Sequence, residues 1–310
     1  MTFLTKKPLY QVAEWVREVS LIAFLWLPDL APWMRPKMQI PVTVSVTSYP
    51  SRIGKAWLAL ETLMRQTVRP ERLLLVLSTE EFPTKKLPSK IRSQVRRGLT
   101  VLWVTGNNRS YDKLLPTREA FPEATIVTFD DDKYFPSNLL KRLYGASLEN
   151  PGCIVGARGW EIHSSDLRPG VHYGENWHRL NASETGHNLL MPGGNGCVYP
   201  PGALDPMVDN VVAAREICPT ADDIWFWAAI LKSGTLSHCL GLPAHRPVAV
   251  QSRTAALSQV NATGNDPQFL AAIDHFGVRG KLEALVRTSA KQSSAKDTDA
   301  ASGFQSAKSI

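Results

Sequence analysis

Three short and almost wholly apolar runs recur in the first half of the chain, at residues 73–77, 99–104 and 126–129. Continuous apolar runs of this length indicate strands of a mostly parallel sheet that is covered on both faces. Helical segments at 89–97 and 113–120 precede the second and third runs. Because strands that alternate with helices are typical of α/β proteins, we predict an α/β fold with a mostly parallel central sheet flanked by helices.

The two ends of the chain differ from this alternating part. Residues 8–27 have the pattern of a helix, and the tail from Thr288 is rich in Ser, Ala, Lys and Asp with few large apolar residues. A segment of that composition does not bury enough apolar surface to fold. We therefore predict an N-terminal helical extension at 1–38, one large domain at 39–285 and a disordered tail at 286–310.

The N-terminal helix allows two interpretations. Its apolar residues include Trp15 and Trp26, and basic Lys6 and Lys7 precede it. Such a helix either docks on the core of the protein or lies in the interface of a membrane, where it makes a peripheral contact at the inner face. Its apolar run at 21–27 is too short to span a bilayer.

The net charge and the cysteine content indicate which binding partners and which cellular compartment to expect. The formal net charge of +7 favours an anionic ligand or surface. Lys and Arg are scattered and form no stripe, so we expect no nucleic-acid partner. The four cysteines form no metal-ligand spacing, which predicts reduced thiols and a cytoplasmic protein.

The most informative motif is the apolar strand 126–129 that runs directly into Asp130, Asp131 and Asp132. Adjacent carboxylates repel one another, and a divalent cation offsets that cost. Because alternate strand residues share a face, Asp130 and Asp132 are the predicted ligands, and their hard oxygens suit Mn²⁺ or Mg²⁺. The alternative is an exposed acidic turn that caps the next helix.

A second acidic pair, Asp222 and Asp223, opens a segment rich in tryptophan. One explanation of this pair is structural: it begins a helix, because Thr220 followed three residues later by Asp223 resembles a capping box. The functional interpretation makes Asp223 a general base, with Asp222 as the second candidate, held beside apolar residues that raise a carboxyl pKa.

A third motif is the glycine-dense segment 193–196, followed by Tyr-Pro-Pro-Gly. Glycines at this density allow a close backbone approach to a ligand, although a simple tight loop has the same composition. The segment is not a P-loop, because the Gly-Lys-Ser/Thr ending is absent. Most histidines in the second half of the chain are expected to have a structural role. The exception is His245, which we name as the candidate third metal ligand.

Taken together and in this order, these segments resemble bacterial glycosyltransferases of the family-two-like kind, which have the GT-A fold. The resemblance covers roughly residues 41–277. It depends on the stretch 44–53, on Lys113-Leu-Leu-Pro116 ahead of the aspartates, on the aspartates as a DXD motif, on the glycine loop, and on the acidic pair as a helix start.

The resemblance implies a nucleotide-sugar donor bound by the residues of the first loop, the acidic motif and the glycine loop. The implied donor contacts are Thr47, Ser48, Tyr49, Arg52, Lys113, Asp130, Asp131, Gly194 and Asn195. Lys133, where an apolar residue is expected, pairs with Asp131 or contacts phosphate in this interpretation.

We therefore predict a metal-dependent hexosyltransferase that transfers a sugar to a carbohydrate or lipid-linked acceptor in cell-surface polysaccharide or glycolipid synthesis. Two other hypotheses remain open: a non-catalytic nucleotide- or carbohydrate-binding protein, and a magnesium-dependent phosphohydrolase. The usual Asp-x-Asp-x-Thr/Val pattern of one hydrolase class does not match, since Tyr134 occupies its last position.

Overall fold

The computed structural model describes residues 7–27, 38–163, 178–248 and 257–287. Its helices are α1 (Lys7–Trp26), α2 (Ile53–Met64), α3 (Ser89–Arg96), α4 (Leu115–Ala120), α5 (Leu139–Glu149), α6 (Val211–Ile217), α7 (Asp222–Ser233), α8 (Leu257–His275) and α9 (279–287), with 3-10 turns at Arg109–Lys113 and Pro206–Asp209.

The strands in the described residues are mostly short after the fourth. They are β1 (Met38–Thr47), β2 (Val68–Ser78), β3 (Leu99–Val104), β4 (Thr125–Phe129), β5 (Lys133–Tyr134), β6 (Ile154–Gly156), β7 (Trp160–Glu161), β8 (His178–Arg179), β9 (Glu184–Gly186), β10 (Leu189–Leu190), β11 (Asn195–Tyr199), β12 (Ser237–Cys239) and β13 (Arg246–Pro247).

The chain divides into two compact units. The first comprises residues 1–145, 194–196 and 244–254, and the second comprises 146–193, 197–243 and 255–310. The tail predicted to be disordered lies outside the described residues, apart from its first two positions. The boundaries predicted at residues 38 and 285 stay a prediction.

The first unit contains a fully parallel sheet in the order β3-β2-β1-β4. In β2 the five residues from Leu73 to Leu77 are all buried, so both faces of the strand are covered. Helix α3 packs beside α2, where Gln94 Nε2 donates to the Trp57 carbonyl at 2.8 Å. The α/β fold with a mostly parallel sheet flanked by helices is confirmed.

Strand β1 differs in one respect from its sequence pattern. The alternation of Val42, Val44 and Val46 with polar residues suggests a half-exposed strand, yet Thr43 and Ser45 are buried as well. The Ser45 hydroxyl has a partner there, since it lies 2.8 Å from the hydroxyl of Thr117. A buried hydroxyl that is hydrogen-bonded does not carry the full cost of leaving water.

Helix α1 has one face docked within the first unit. Leu25 is buried, and the Trp26 ring meets the Trp57 ring edge to face with centroids 6.2 Å apart. The docked interpretation therefore holds for the end of the helix. In the described part of the chain, no helix has the length and apolar character needed to cross a membrane.

The second unit contains shorter strands. Strand β6 pairs parallel with β12 and antiparallel with the later part of β11, and β12 pairs antiparallel with β9. A separate small sheet has the order β10-β7-β8. Three of the four cysteine side chains are buried, and among the described residues the four cysteines form no disulfide bond.

Candidate functional site

The acidic motif lies at the carboxyl end of β4, beside the end of β1. The register pairs Val46 with Phe129, so Ser48 follows β1 where Asp130 and Asp131 follow β4. Ser48 Oγ donates a hydrogen bond of 2.5 Å to Asp131 Oδ2. The carboxyl ends of adjacent parallel strands form the edge at which open α/β sheets bind ligands.

Arg52 connects the loop after β1 to the acidic motif. It stands directly before α2, and its Nη2 lies 3.3 Å from Asp131 Oδ1 and also forms an ion pair with Asp132. Its guanidinium carbon lies 5.6 Å from the centroid of the Tyr49 ring. Burial lowers the pKa of Arg52, but the charges of Asp131 and Asp132 outweigh it, so the pKa lies above the ordinary value.

Asp131 is the buried member of the three aspartates. Its burial raises the carboxyl pKa to about 6, although the charge of Arg52 and the hydrogen bond from Ser48 oppose the shift. The side chain faces Arg52 and Ser48 in the loop after β1. Because both partners belong to the loop after β1, we infer that Asp131 holds this loop in place.

Asp130 is held by two lysines. Lys113 Nζ lies 3.0 Å from Asp130 Oδ1, and Lys133 Nζ lies 2.7 Å from Asp130 Oδ2. Enclosure raises the pKa of Asp130, but the two ammonium groups outweigh it and hold the pKa well below its usual range. Lys133 thus pairs with Asp130, and the expectation that it pairs with Asp131 is wrong because Arg52 and Ser48 occupy Asp131.

The glycine loop approaches the same carboxylate. The backbone amide of Asp130 donates to the Gly194 carbonyl at 3.1 Å, and Lys133 Nζ donates to that carbonyl at 3.3 Å. A Cβ added at Gly194 would overlap the Asp130 carboxylate, so only glycine fits there. The motif is therefore more than a tight turn, because its backbone contacts the acidic motif directly.

Asn195 and His245 also meet in the first unit. The Nε2 of His245 lies 2.8 Å from the Asn195 carbonyl, and the imidazole packs edge to face on Phe135 with centroids 5.3 Å apart. A carbonyl oxygen only accepts, so Nε2 carries the proton in this contact. In this arrangement Nε2 does not bind a metal, and the role of His245 as a ligand stays a prediction.

The aspartates fit a divalent cation in part. Among the described residues, no group of three or more His, Cys, Asp or Glu side chains is arranged to hold a metal ion. Asp132 Oδ1 is buried and has no hydrogen-bond partner in the described part of the chain, which leaves an oxygen for a cation. Both Asp130 oxygens contact lysines. An ion shared by Asp130 and Asp132 therefore requires a lysine to move.

Thr47 and the ends of the neighbouring strands complete this edge of the first unit. The Thr47 hydroxyl donates to the Val76 carbonyl at 3.0 Å, so it secures β1 to β2. Beyond β2 and β3, Glu81 interacts with Asn107 and Arg109, and its burial raises its pKa. Sequence reasoning did not name these three residues, although their position just after two predicted strands was the available signal.

Asp222 and Asp223 belong to the second unit, at the first turn of α7. Asp223 Oδ1 accepts a hydrogen bond of 2.8 Å from the amide of Gly193. Asp222 is buried. Burial and the charges of Cys197, Asp223 and Asp222 raise the pKa of Tyr199 well above its ordinary value.

The capping box expected at this helix start is absent. The N-cap residue is Ala221, which forms no side-chain cap hydrogen bond. The Thr220 hydroxyl instead accepts from Gln268 Nε2 at 2.9 Å. The acids of the first turn are therefore stabilised by the positive end of the helix and not by a reciprocal cap.

Comparisons with known proteins give distant structural likenesses. No protein-family model matches the sequence, and no curated protein matches it. The chain is similar to residues 1–349 of S. aureus TarS in complex with UDP, with a TM-score of 0.42 and 14% identity over 66% of this chain and 59% of that one.

The chain is also similar to a CMP:2-keto-3-deoxy-manno-octonic acid synthetase complexed with CTP. That likeness has a TM-score of 0.41 and 9% identity, and covers 72% of this chain and 98% of the other. Likeness at these TM-scores assigns no activity, substrate or cofactor to this chain.

Proposed function

We propose that this chain is a glycosyltransferase that takes a hexose from a nucleotide-diphosphate donor and transfers it to an acceptor hydroxyl. The observation that carries the proposal is the edge where β1 and β4 end. There three carboxylates, Asp130 to Asp132, are matched by three cationic side chains, Arg52, Lys113 and Lys133. Cations held in place by carboxylates are ready to contact a diphosphate.

The chemistry requires stabilisation of the leaving group. As the bond to the anomeric carbon breaks, negative charge grows on the diphosphate, and fixed cations favour that state over the ground state. Arg52, Lys113 and Lys133 have this role in our proposal. A bound Mn²⁺ or Mg²⁺ ion, held by Asp132 and Asp130, would supply Lewis-acid stabilisation of the same group.

The acceptor hydroxyl must lose a proton as it attacks. We assign this step to Asp223, with Asp222 as the second candidate. The hydrogen bond from the Gly193 amide to Asp223 Oδ1 restricts the orientation of the carboxylate. An oriented carboxylate takes a proton at a defined position, which suits a general base.

The proposed acceptor is a carbohydrate or a lipid-linked saccharide, and α1 supports a peripheral contact with the cytoplasmic membrane surface. Val16, Val19 and Leu27 are 49%, 44% and 53% exposed. Val16 and Val19 lie on one face of α1, and Leu27 directly follows its last residue. Lys90 Nζ lies 2.8 Å from the centroid of the Trp26 ring at the end of α1, so positive charge adjoins the apolar face. An anionic lipid surface complements both features.

A donor screen tests the function directly. Nucleoside diphosphate release is measured with a panel of nucleotide sugars and saccharide acceptors, with and without EDTA, and the sugar is followed by mass spectrometry. Acceptor-dependent release with a new glycoside supports the proposal. Binding without turnover identifies a binding protein, and release of inorganic phosphate without sugar transfer identifies a phosphohydrolase. Either of those two results rejects the proposal.

A further inference from the structure

Two arginines and a tryptophan lie together on a small sheet of the second unit. Strands β7 and β8 are antiparallel, and their register places Trp160 opposite Arg179. Residues directly opposite each other in such a pair project to the same face. The guanidinium carbon of Arg158 lies 5.2 Å from the centroid of the Trp160 ring. The three side chains therefore share one surface.

The backbone that carries Arg158 and Trp160 is closely packed. The Leu180 amide donates to the Gly159 carbonyl at 3.0 Å. A Cβ added at Gly159 would lie 2.8 Å from the Leu190 carbonyl oxygen and 2.9 Å from Met191 Cγ, which is tighter than real contacts allow. Only glycine allows this approach, so the flanking side chains project from a fixed segment.

The two guanidinium groups lack a matching acid in the part of the chain that the structure describes. Neither Arg158 nor Arg179 forms an ion pair there, and the Nε of Arg158 is buried with no hydrogen-bond partner among those residues. The next acid along the strand, Glu161, accepts from Asn188 Nδ2 at 3.2 Å and lies 3.2 Å from His163 Nε2. That carboxylate is therefore directed to other partners.

This arrangement has an energetic cost that an anion would remove. Burial, together with the nearby charge of Arg179, lowers the pKa of Arg158. A half-buried cation beside a second cation is less stable than either alone in water, and a buried N–H without an acceptor adds to the cost. Groups that are costly in the free protein and close together are typical of a binding site.

We propose that Arg158, Trp160 and Arg179 bind an acidic saccharide, in which a carboxylate or phosphate contacts the guanidinium groups and the sugar ring packs on the indole. The arginine fork matches the two oxygens of such a group, which a single lysine does not do. That this saccharide is the acceptor rests on the proposed glycosyltransferase function; the binding itself does not.

The test compares sugars that differ only in charge. Binding of D-glucuronic acid, D-glucose 6-phosphate and D-glucose to the full chain is measured by saturation-transfer NMR and calorimetry, without nucleotide. We expect at least one acidic sugar to bind about tenfold or more tightly than glucose, since charge-assisted hydrogen bonds are lost in the neutral sugar. Which acid binds more tightly distinguishes a carboxylate from a phosphate ligand.

Matched variants assign the binding to this surface. Arg158→Gln and Arg179→Gln should each weaken binding of the acidic sugar by about tenfold. The control is Arg215→Gln, at an exposed position of α6, which should leave the affinity unchanged. Arg179 is exposed, so its variant keeps the test informative if Arg158→Gln unfolds. Equal binding of all three sugars, no binding of either acid, or an equal loss in Arg215→Gln overturns the proposal. Because nucleotide is absent, that failure is separate from failure of the donor screen.

Discussion

Gly194 and Asp130 lie so close together that no side chain fits between them. The Asp130 amide donates to the Gly194 carbonyl at 3.1 Å, and a Cβ on Gly194 would overlap the Asp130 carboxylate. Gly194→Ala should therefore displace Asp130 together with Lys113, which is paired to it. We expect nucleoside diphosphate affinity to fall by about tenfold, measured by calorimetry, because overpacking at this contact costs on the order of 1–3 kcal/mol.

The matched control is Gly145→Ala in α5. A Cβ there meets nothing within 4 Å, and alanine is the better helix former. Nucleotide affinity should be unchanged in this variant. An equal loss in both variants, or none in Gly194→Ala, contradicts the role assigned to the glycine.

At the proposed metal site, Lys133 and the ion would compete for Asp130. Replacing it in Lys133→Gln removes the ammonium 2.7 Å from Asp130 Oδ2, so that oxygen becomes accessible to a cation. We expect Mn²⁺ to bind about tenfold more tightly, while nucleoside diphosphate binds more weakly when Mn²⁺ is absent. Mn²⁺ binding is followed by electron paramagnetic resonance, and Lys141→Gln on the exposed side of α5 is the control. Unchanged Mn²⁺ affinity argues against an ion at Asp130.

Asp223→Asn keeps the size of the side chain and an oxygen that accepts from the Gly193 amide, but removes the basic oxygen. Turnover with the donor identified in the screen should fall by roughly 10²–10⁴-fold, with little change in nucleotide affinity. Asp209→Asn, an exposed acid of the same unit, should have no effect on turnover. Near-normal turnover of Asp223→Asn rejects its assignment as the base and turns attention to Asp222→Asn.

Glu61 links α2 to two arginines. The carboxylate accepts from Arg65 Nε at 3.0 Å and from Arg97 Nη1 at 3.1 Å, and its side chain is 2% exposed. Burial raises its pKa, but the hydrogen bonds from Arg97, Gln94 and Arg65 outweigh it, so the pKa lies below the ordinary 4.5. Glu61→Gln should lower the free energy of unfolding by about 3 kcal/mol at neutral pH.

The pH dependence follows from the direction of this shift. A carboxyl with a lowered pKa in the folded state contributes stability that is complete above its unfolded pKa and is lost as pH falls through the folded pKa. The difference between the wild-type chain and Glu61→Gln in urea unfolding should therefore be largest near pH 7 and shrink below about pH 4. Glu123→Gln, an exposed site, serves as control. A difference that is independent of pH contradicts the ion-pair explanation.

The exposed face of α1 predicts membrane binding. Val19→Asp places a charge in the middle of the apolar face and should lower binding to phosphatidylglycerol vesicles by about tenfold in a sedimentation assay. Val212→Asp is the matched control, since Val212 is 70% exposed on α6. If both variants bind the vesicles equally, or if binding does not depend on the lipid charge, α1 is not the segment that contacts the membrane.

Much of the fold could be predicted from local patterns. The apolar run at 99–104 is a strand with those bounds, and α7 begins at Asp222 as expected. The helix predicted at 113–120 is shorter, because residues 109–113 form a 3-10 turn before it. Helix ends depend on tertiary contacts that periodicity does not record.

Less of the site could be predicted. The residue types were sufficient to find Asp130 and Arg52, but not to pair them with their partners. The ion pair between Arg52 and Asp132 joins residues eighty positions apart. Sequence spacing indicates which of three adjacent aspartates share a face, but it does not identify the cation that each one contacts.

The sequence by itself determined the elements: the buried strands, the acidic motif at the end of one of them, and the glycines that precede β11. Apolar periodicity and conformational preference act over a few residues, so they can be recognised without a structure. Only the tertiary structure decided that two lysines hold Asp130, that Arg52 and Ser48 hold Asp131, and that Gly194 contacts the first of these acids. Those pairings depend on the register of parallel strands and on which side chains then come within a few ångströms, where electrostatic and steric energies change steeply with distance.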